Sequence, residues 1–413
     1  MKAITFDVNA AKKNRQAFPA LARKHNGYHL AFFDGPGGTQ VPTPVVEAVS
    51  EYYRSHNANS HGMFVTTRET DEMLQRAREA TADFLGAPSW RCISFGANMT
   101  TLNYALAHAL AKDLQPGDEI LITELDHEAN RGPWKNLERY GVVIREVALL
   151  PSGELDYEDM RAKIGGRTRI VAMGMSSNAL GTANDVVRAR ELSAAVGAKL
   201  VLDAVHYAPH HPIDADGIGV DFLLCSAYKF YGPHVGVLYA KPGALDDLRT
   251  DALCTQEADA PYRIETGTLN HEGIAGTLAA VEYIASLGEG ATRRERIVSA
   301  MAGIALYEHA LAARYYGEVA QIPGVRVWGP DFSRNRVPTV SVSIDDITPL
   351  EAARQLGEKG LLLWDGDFYA AKAIEVLGLR EAGGVLRMGV SLYNLDEEVD
   401  RLLEGIRTLK KGY

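Results

Sequence analysis

Between Arg91 and Lys241 the chain alternates short β-rich runs with helical ones, and this alternation narrows the possible folds more than any other feature. RCISF (Arg91–Phe95) leads into a helical run beginning near Asn98, and DEILITELD (Asp118–Asp126) into a helical stretch through Trp134 and Leu137. GVVIREVAL, TRIVAMGMSS, AKLVLDAVH and VDFLLCSAYK follow as further β-rich runs, with helical patterns such as DVVRARELSAAVGA (Asp185–Ala198) between several of them. Strands alternating with helices predict an α/β fold whose mostly parallel sheet is covered on both faces. VGVLYAK, after the turn at Gly232-Pro233, returns as another strand.

Beyond about Gly290 the pattern changes. The long helical stretch TRRERIVSAMAGIALYEHALAARYY precedes separate strands such as PTVSVSI and helices at Pro349–Glu358 and Asp396–Lys410. At 413 residues the chain exceeds what one core supports. The expected organisation is a large domain over 26–290 and a smaller α+β domain over 291–413, joined by the N-terminal segment 1–25.

Charge and cysteine usage bound the function. The net charge of −10 is spread without a basic stripe, which argues against a nucleic-acid surface. Cys92, Cys225 and Cys254 show no CxxC spacing, and a reducing cytoplasm suits an odd number of unpaired thiols. The N-terminus lacks an apolar leader core, and no run of about 18 apolar residues occurs, so neither export nor membrane spanning is expected.

Asp203 closes the strand VLDAVH. A carboxylate there points at the ligand crevice of an open α/β sheet, or serves simply as a turn or cap residue. Lys229 follows the next strand, between Tyr228 and Phe230. It is either a surface lysine whose stem lies along apolar neighbours, or an amine with a depressed pKa suited to a Schiff base. The two together carry more weight. Pyridoxal phosphate chemistry needs a lysine for the aldehyde and a carboxylate for the pyridine nitrogen, and both residues end strands at one sheet edge. Gly96-Ala97-Asn98-Met99 opens a helix without an acid in its first turn, which suits a phosphate. His127, after DEILITELD, reaches the same edge as a loop histidine or as an imidazole over a cofactor ring. FFDGPGG (Phe32–Gly38) is either a flexible entry to a helix near Pro42 or part of the site.

The series DHEANRGPW, SSNALGT, VLDAVH, SAYKFYGPHVGVLYAK, ETGTLNHEGIAG and LRMGVSLYN resembles the class V aminotransferase family, closest to its cysteine desulfurase and selenocysteine lyase branch. The resemblance runs from about Phe33 to Leu403. It implies a fold-type I enzyme using pyridoxal 5'-phosphate on an amino-acid substrate, working as a homodimer with sites at the interface. It makes Lys229 the Schiff-base lysine, Asp203 the partner of the pyridine nitrogen, and His127 the ring-stacking group. Asn178 would lie near the cofactor's phenolic oxygen and the substrate carboxylate. His206, where desulfurases usually have glutamine, would donate to that oxygen. Ser226, Tyr228 and the turn Ala97, Asn98, Met99 would hold the phosphate. Thr268 would reach the phosphate of the neighbouring subunit, and Arg387 would clamp the substrate carboxylate in a bidentate pair.

Besides His206, the chain departs from the family at Tyr228, usually a histidine, at Ala97, Asn98 and Met99, more often Gly-Thr-Thr, and most of all in one loop. LLLWDGDFYAA (Leu361–Ala371) reads as an apolar strand that stops at two acids and a tyrosine before a helix. The cysteine that desulfurases use to accept sulfur falls, on this resemblance, at Tyr369, and Trp364 stands where an arginine is often found. A phenol with a pKa of about 10 does not replace a thiolate, though it can donate a proton or close the pocket over a bulkier substrate. Cys92 and Cys225 read as buried structural residues, and Cys254 has no neighbouring cation to activate it. The expected reaction is therefore C–S or C–Se cleavage by elimination, without a protein persulfide. Transamination, epimerisation and a non-catalytic cofactor-binding scaffold for sulfur transfer are the alternatives, and no acceptor protein is indicated.

Overall fold

A computed structural model describes residues 6–246 and 248–410. The first five residues of the expected N-terminal segment and the last three of the chain lie outside the described residues. The apolar runs become a seven-stranded sheet: β1 Ile93–Gly96, β2 Glu119–Thr123, β3 Val143–Val147, β4 Thr168–Gly174, β5 Lys199–Asp203, β6 Phe222–Ser226 and β7 Gly236–Ala240. Their spatial order is β1-β7-β6-β5-β4-β2-β3. β7 alone runs antiparallel to its neighbours, so the carboxyl ends of the other six emerge at one edge. Every residue of β2, β6 and β7 is buried, as expected where helices cover both faces. β3 (VIREV) alternates exposed and half-buried positions over its first four residues because it is the outer strand, and only Val147 is buried.

Two expected elements are altered by local chemistry. The strand at RCISF starts later, at Ile93, because Ser89 caps a 3₁₀ turn over Trp90–Cys92. The helical stretch after Asp126 is broken into a 3₁₀ turn, the short helix Gly132–Lys135 and a second 3₁₀ turn. Pro133, which has no N–H to give a preceding turn, permits a helix start there but not a helix interior.

The C-terminal part forms a second, antiparallel sheet from β8 Val325–Trp328, β9 Thr339–Ile344, β10 Trp364–Gly366 and β11 Val385–Gly389, in the order β8-β9-β11-β10. The helix Arg293–Val319 begins in a capping box at Thr292 and Glu295 and presents Ile297, Met301, Ile304 and Leu311 to the core. The stretch LLLWDGDFYAA is not one strand. Leu361–Leu362 pairs in parallel with Ala31–Phe32, whereas Trp364–Gly366 pairs with β11 and sets Trp364 opposite Arg387. Two different sheets therefore fix the start of the loop that follows.

Candidate active site

The carboxyl ends of β2, β4, β5 and β6 deliver charged or polar groups to a common cavity of about 730 Å³. Asp203 is the last residue of β5, and Lys229 follows β6 in a 3₁₀ turn over Ala227–Lys229. His127 follows β2, Asn178 follows β4, and Arg387 lies in β11 of the second sheet. All five line the cavity, together with Asn98, Met99, His206, Ser226, Tyr228 and Tyr369.

Burial governs the protonation of these groups. Lys229 donates its Nζ hydrogen bond to the Pro36 carbonyl and sits over the Tyr228 ring, with Nζ 5.1 Å from the centroid. Desolvation, and then the Arg387 charge, lower its pKa to about 7, against the opposing pull of Asp203 and Asp34. Burial likewise raises Asp203 to about 7, although its Oδ1 accepts the Val205 N–H at 2.9 Å. Asp126 rises to about 6 for the same reason, with Gly174 N–H and the Asn130 amide bonded to its two oxygens. His127 is lowered to about 4 by desolvation and by the Lys229 and Arg387 charges, so its imidazole is neutral. Its Nδ1 accepts the Ala129 N–H at 2.9 Å, which places the ring proton on Nε2.

The Arg387 guanidinium is buried, and no carboxylate among the described residues forms an ion pair with it. Nη1 donates to the Asn178 carbonyl at 2.9 Å, Nε has no partner, and the group lies 3.9 Å above the Phe368 ring. Burial lowers its pKa to about 9, with Asp34 opposing. Asn178 Oδ1 and Ser176 Oγ are also buried without partners beside the cavity. Unpaired buried polar atoms are costly and mark where a ligand makes up the missing bonds.

These features fit pyridoxal 5'-phosphate. A buried acid on one strand end and a buried amine on the next suit a protonated pyridine nitrogen and an aldehyde. The unpaired guanidinium suits an amino-acid carboxylate. At the far end, Asn98 caps the 13-residue helix Met99–Ala111, Met99 N–H donates to Ser226 Oγ at 3.0 Å, and Tyr228 stacks on His234 at 4.9 Å. Gly236 is required there, since a Cβ on it would lie 2.4 Å from the Asn98 carbonyl carbon.

Three of the expected site residues stand apart from the others. Ala97 is exposed and lines no part of the cavity, because the Asn98 capping box turns the chain inward only after it. Thr268 is exposed on the loop before the helix His271–Ser286 and lines a different cleft, beside the buried Arg78–Glu265 pair. His206 does line the cavity, but its Nε2 is already engaged by Thr339 Oγ1 at 2.9 Å.

The glycine-rich turn after Phe32 proves to be part of the site. Pro36 and Gly37 line the cavity, and Asp34, raised to about 6 by burial, interacts with both Arg387 and Lys229. Its DGPGG composition is the signal, and only the partner 193 residues away at Lys229 gives it meaning. Asp126, Ser176 and His234 are further lining residues outside the sequence reading, although Asp126 adjoins His127 and Ser176 lies two residues before Asn178. None of the three cysteines lines the cavity; Cys92 and Cys225 are buried elsewhere and Cys254 is exposed.

The loop expected to carry the departure from the family closes one side. Phe368 (φ 56°) and Tyr369 (φ 58°) are consecutive non-glycine residues in the left-handed region. Their carbonyls accept from the Asn178 side chain at 2.9 Å and from Glu128 N–H at 2.7 Å, and Tyr369 N–H donates to Asp367 Oδ1 at 2.9 Å. The Tyr369 ring lies 5.5 Å from that of His127.

Comparison with known proteins agrees with this geometry. The family model described as "Aminotransferase class-V" matches residues 31–402. A probable cysteine desulfurase from Mycolicibacterium paratuberculosis is 34% identical over 98% of the chain, which spans 59% of that protein's length. A cysteine desulfurase from Enterobacter sp. is 32% identical, covering 96% of this chain and 98% of that one. Among solved structures, the apo cysteine desulfurase from Thermococcus onnurineus superposes with a TM-score of 0.86 at 26% identity, covering 96% of both chains. A cysteine desulfurase from Escherichia coli gives 0.84 at 26%, covering 96% of this chain and 97% of that one. The chain belongs to the class-V aminotransferase family and is a pyridoxal 5'-phosphate-dependent enzyme of cysteine desulfurase-like type.

Proposed function

We propose that the protein cleaves the Cβ–S or Cβ–Se bond of an α-amino acid by elimination, with no sulfur held on the protein. One observation carries this reading: a lysine, an acid and an unpaired guanidinium converge on one cavity, while Tyr369 rather than a thiol faces them. The cofactor supplies an electron sink for the substrate's α-carbon. Lys229 would bind its aldehyde and Asp203 its ring nitrogen, with His127 against the ring. Asn98, Met99, Ser226 and Tyr228 would hold its phosphate end.

Arg387 would take the substrate carboxylate through its unpartnered Nε, and Asn178 through the second N–H of its Nδ2, the first being donated to the Phe368 carbonyl. Once released by the incoming amino acid, the Lys229 amine serves as the base for the Cα proton, since its pKa of about 7 leaves much of it neutral near pH 7. His127 is a poor base, its Nδ1 lone pair being committed to Ala129. It orients and donates from Nε2. The Cβ–S electron pair leaves with sulfur, which takes up a proton and departs as a thiol. Water then converts the three-carbon fragment to pyruvate and ammonium, and no oxidant or reductant enters. A thiol or selenol leaving in this way needs no protein nucleophile.

The same reading places the enzyme in the cytoplasm as a homodimer, with the exposed Thr268 of one copy reaching the phosphate of the other. It divides the chain into a cofactor domain over 26–290 and a smaller domain over 291–413, tied by 1–25. The test is to supply holoenzyme with cysteine, selenocysteine and S-substituted cysteines. Release of sulfide, selenide or thiol with equimolar pyruvate is expected; conversion to the pyridoxamine form with a 2-oxo acid product would assign transamination instead.

A further inference from the structure

The loop that lacks a thiol offers an aromatic ledge in its place. Trp364, Phe368 and Tyr369 all line the cavity that holds Lys229 and Arg387. Trp364 and Tyr369 are 51% and 72% exposed, unusual for large rings bordering a catalytic cavity. Trp364 leans across Gly37, where a Cβ would lie 2.5 Å from the indole Nε1, so the glycine turn makes room for the ring.

The ledge is also tied to the carboxylate clamp. Arg387 donates to the Asn178 carbonyl, the Asn178 amide donates to the Phe368 carbonyl, and the Phe368 ring lies on the Arg387 guanidinium. An amino acid held by Arg387 therefore meets the rings at a fixed distance from its own α-carbon. Two adjacent non-glycine residues keep φ near +57° to maintain this arrangement. Such backbone is strained, and it persists where the surroundings over-determine it, as at ligand clamps. Cysteine, with one SH beyond Cβ, leaves these rings without a partner.

We propose that Trp364 and Tyr369 select S-substituted cysteines carrying an aromatic-sized apolar group on sulfur, in preference to cysteine itself. This rests on the elimination reading above and names its substrate class. Each ring stacked on a substituent contributes a factor of about 2–12 in selectivity, from the about 0.5–1.5 kcal/mol of an aromatic pair.

The experiment compares holoenzyme with S-benzylcysteine, S-methylcysteine, S-carboxymethylcysteine and cysteine. It follows thiol release and, separately, the dissociation constants read from the change in the cofactor's visible absorbance. S-Benzylcysteine is expected to bind at least about tenfold more tightly than S-methylcysteine and to have the highest kcat/KM. In Trp364→Ala the benzyl-to-methyl ratio of both quantities falls about five- to tenfold, with the cofactor band and thermal midpoint retained to show a folded, loaded enzyme. Tyr369→Ala lowers the same ratio. Equal affinity for benzyl and methyl compounds, or a ratio unchanged in both variants, overturns the ledge. If no substrate releases thiol while the binding ratio holds, the elimination reading fails and the ledge stands as a binding specificity.

Discussion

The two sides of the cavity are held in different ways. On the strand-end side, Asp203 and Lys229 extend from the buried ends of parallel strands, and their protonation follows from desolvation. On the loop side, Trp364, Phe368 and Tyr369 are positioned by bonds to main-chain atoms, and two of the three rings are largely exposed. The strand-end side is chemistry built into a core and intolerant of change. The loop side is a surface whose side chains can be exchanged while its backbone stays anchored. The contrast predicts that substitutions below the cofactor abolish reaction, whereas substitutions in the loop change which molecule reacts.

The sharpest way to break that contrast is Lys229→Ala. Loss of both the cofactor linkage and the base should lower turnover by about 10⁴-fold or more and abolish the visible band of the bound cofactor. Retained turnover within tenfold would remove the strand-end side from the chemistry altogether. Asp203→Asn should lower kcat by about 10²–10³-fold with the cofactor still bound, since a neutral amide cannot sustain a protonated ring nitrogen. Arg387→Ala should act mainly on KM, raising it about 10- to 100-fold through loss of a charge-assisted bidentate contact. A kcat effect alone in that variant would move the carboxylate site elsewhere.

A pH experiment sharpens the burial argument. Attack on the cofactor aldehyde needs the neutral amine, so the loading rate of apoenzyme should rise about tenfold per pH unit below pH 7 and level off above it. A rate still climbing at pH 9 would describe an ordinary exposed lysine. The smallest effect is expected for Tyr369→Phe. If the ring rather than the hydroxyl is what the loop contributes, kcat should change by less than about threefold. A loss of 10²-fold or more would instead make the phenol a proton donor.

Much of this was legible in the amino-acid sequence, for identifiable reasons. Asp203 and Lys229 could be placed because parallel strands send their ends to one edge, so two local patterns imply a shared location. The long helix from Arg293 was legible as the stretch TRRERIVSAMAGIALYEHALAARYY, and the structure adds the Thr292–Glu295 capping box that starts it. What sequence could not yield depends on distant pairings. Pro36 matters because its carbonyl meets Lys229, and no local feature of FFDGPGG specifies that contact. LLLW (361–364) reads as one strand because its apolar run is continuous, yet Leu361–Leu362 and Trp364–Gly366 pair in two different sheets. Ala97 stands exposed one residue before the Asn98 cap, and nothing in the local sequence separates the two. His206 Nε2 meets Thr339 Oγ1 from 133 residues away, a pairing that no local feature of VLDAVH specifies.

The main-chain anchoring of the Phe368–Tyr369 turn has a consequence for engineering. Since Asn178 and Glu128 hold carbonyl oxygens that every amino acid possesses, positions 364, 368 and 369 form a replaceable cassette on an unchanged catalytic chassis. Glycine or asparagine at 368 or 369 would accept the positive φ with least strain, and combinatorial libraries built there could retarget the enzyme without reopening its core.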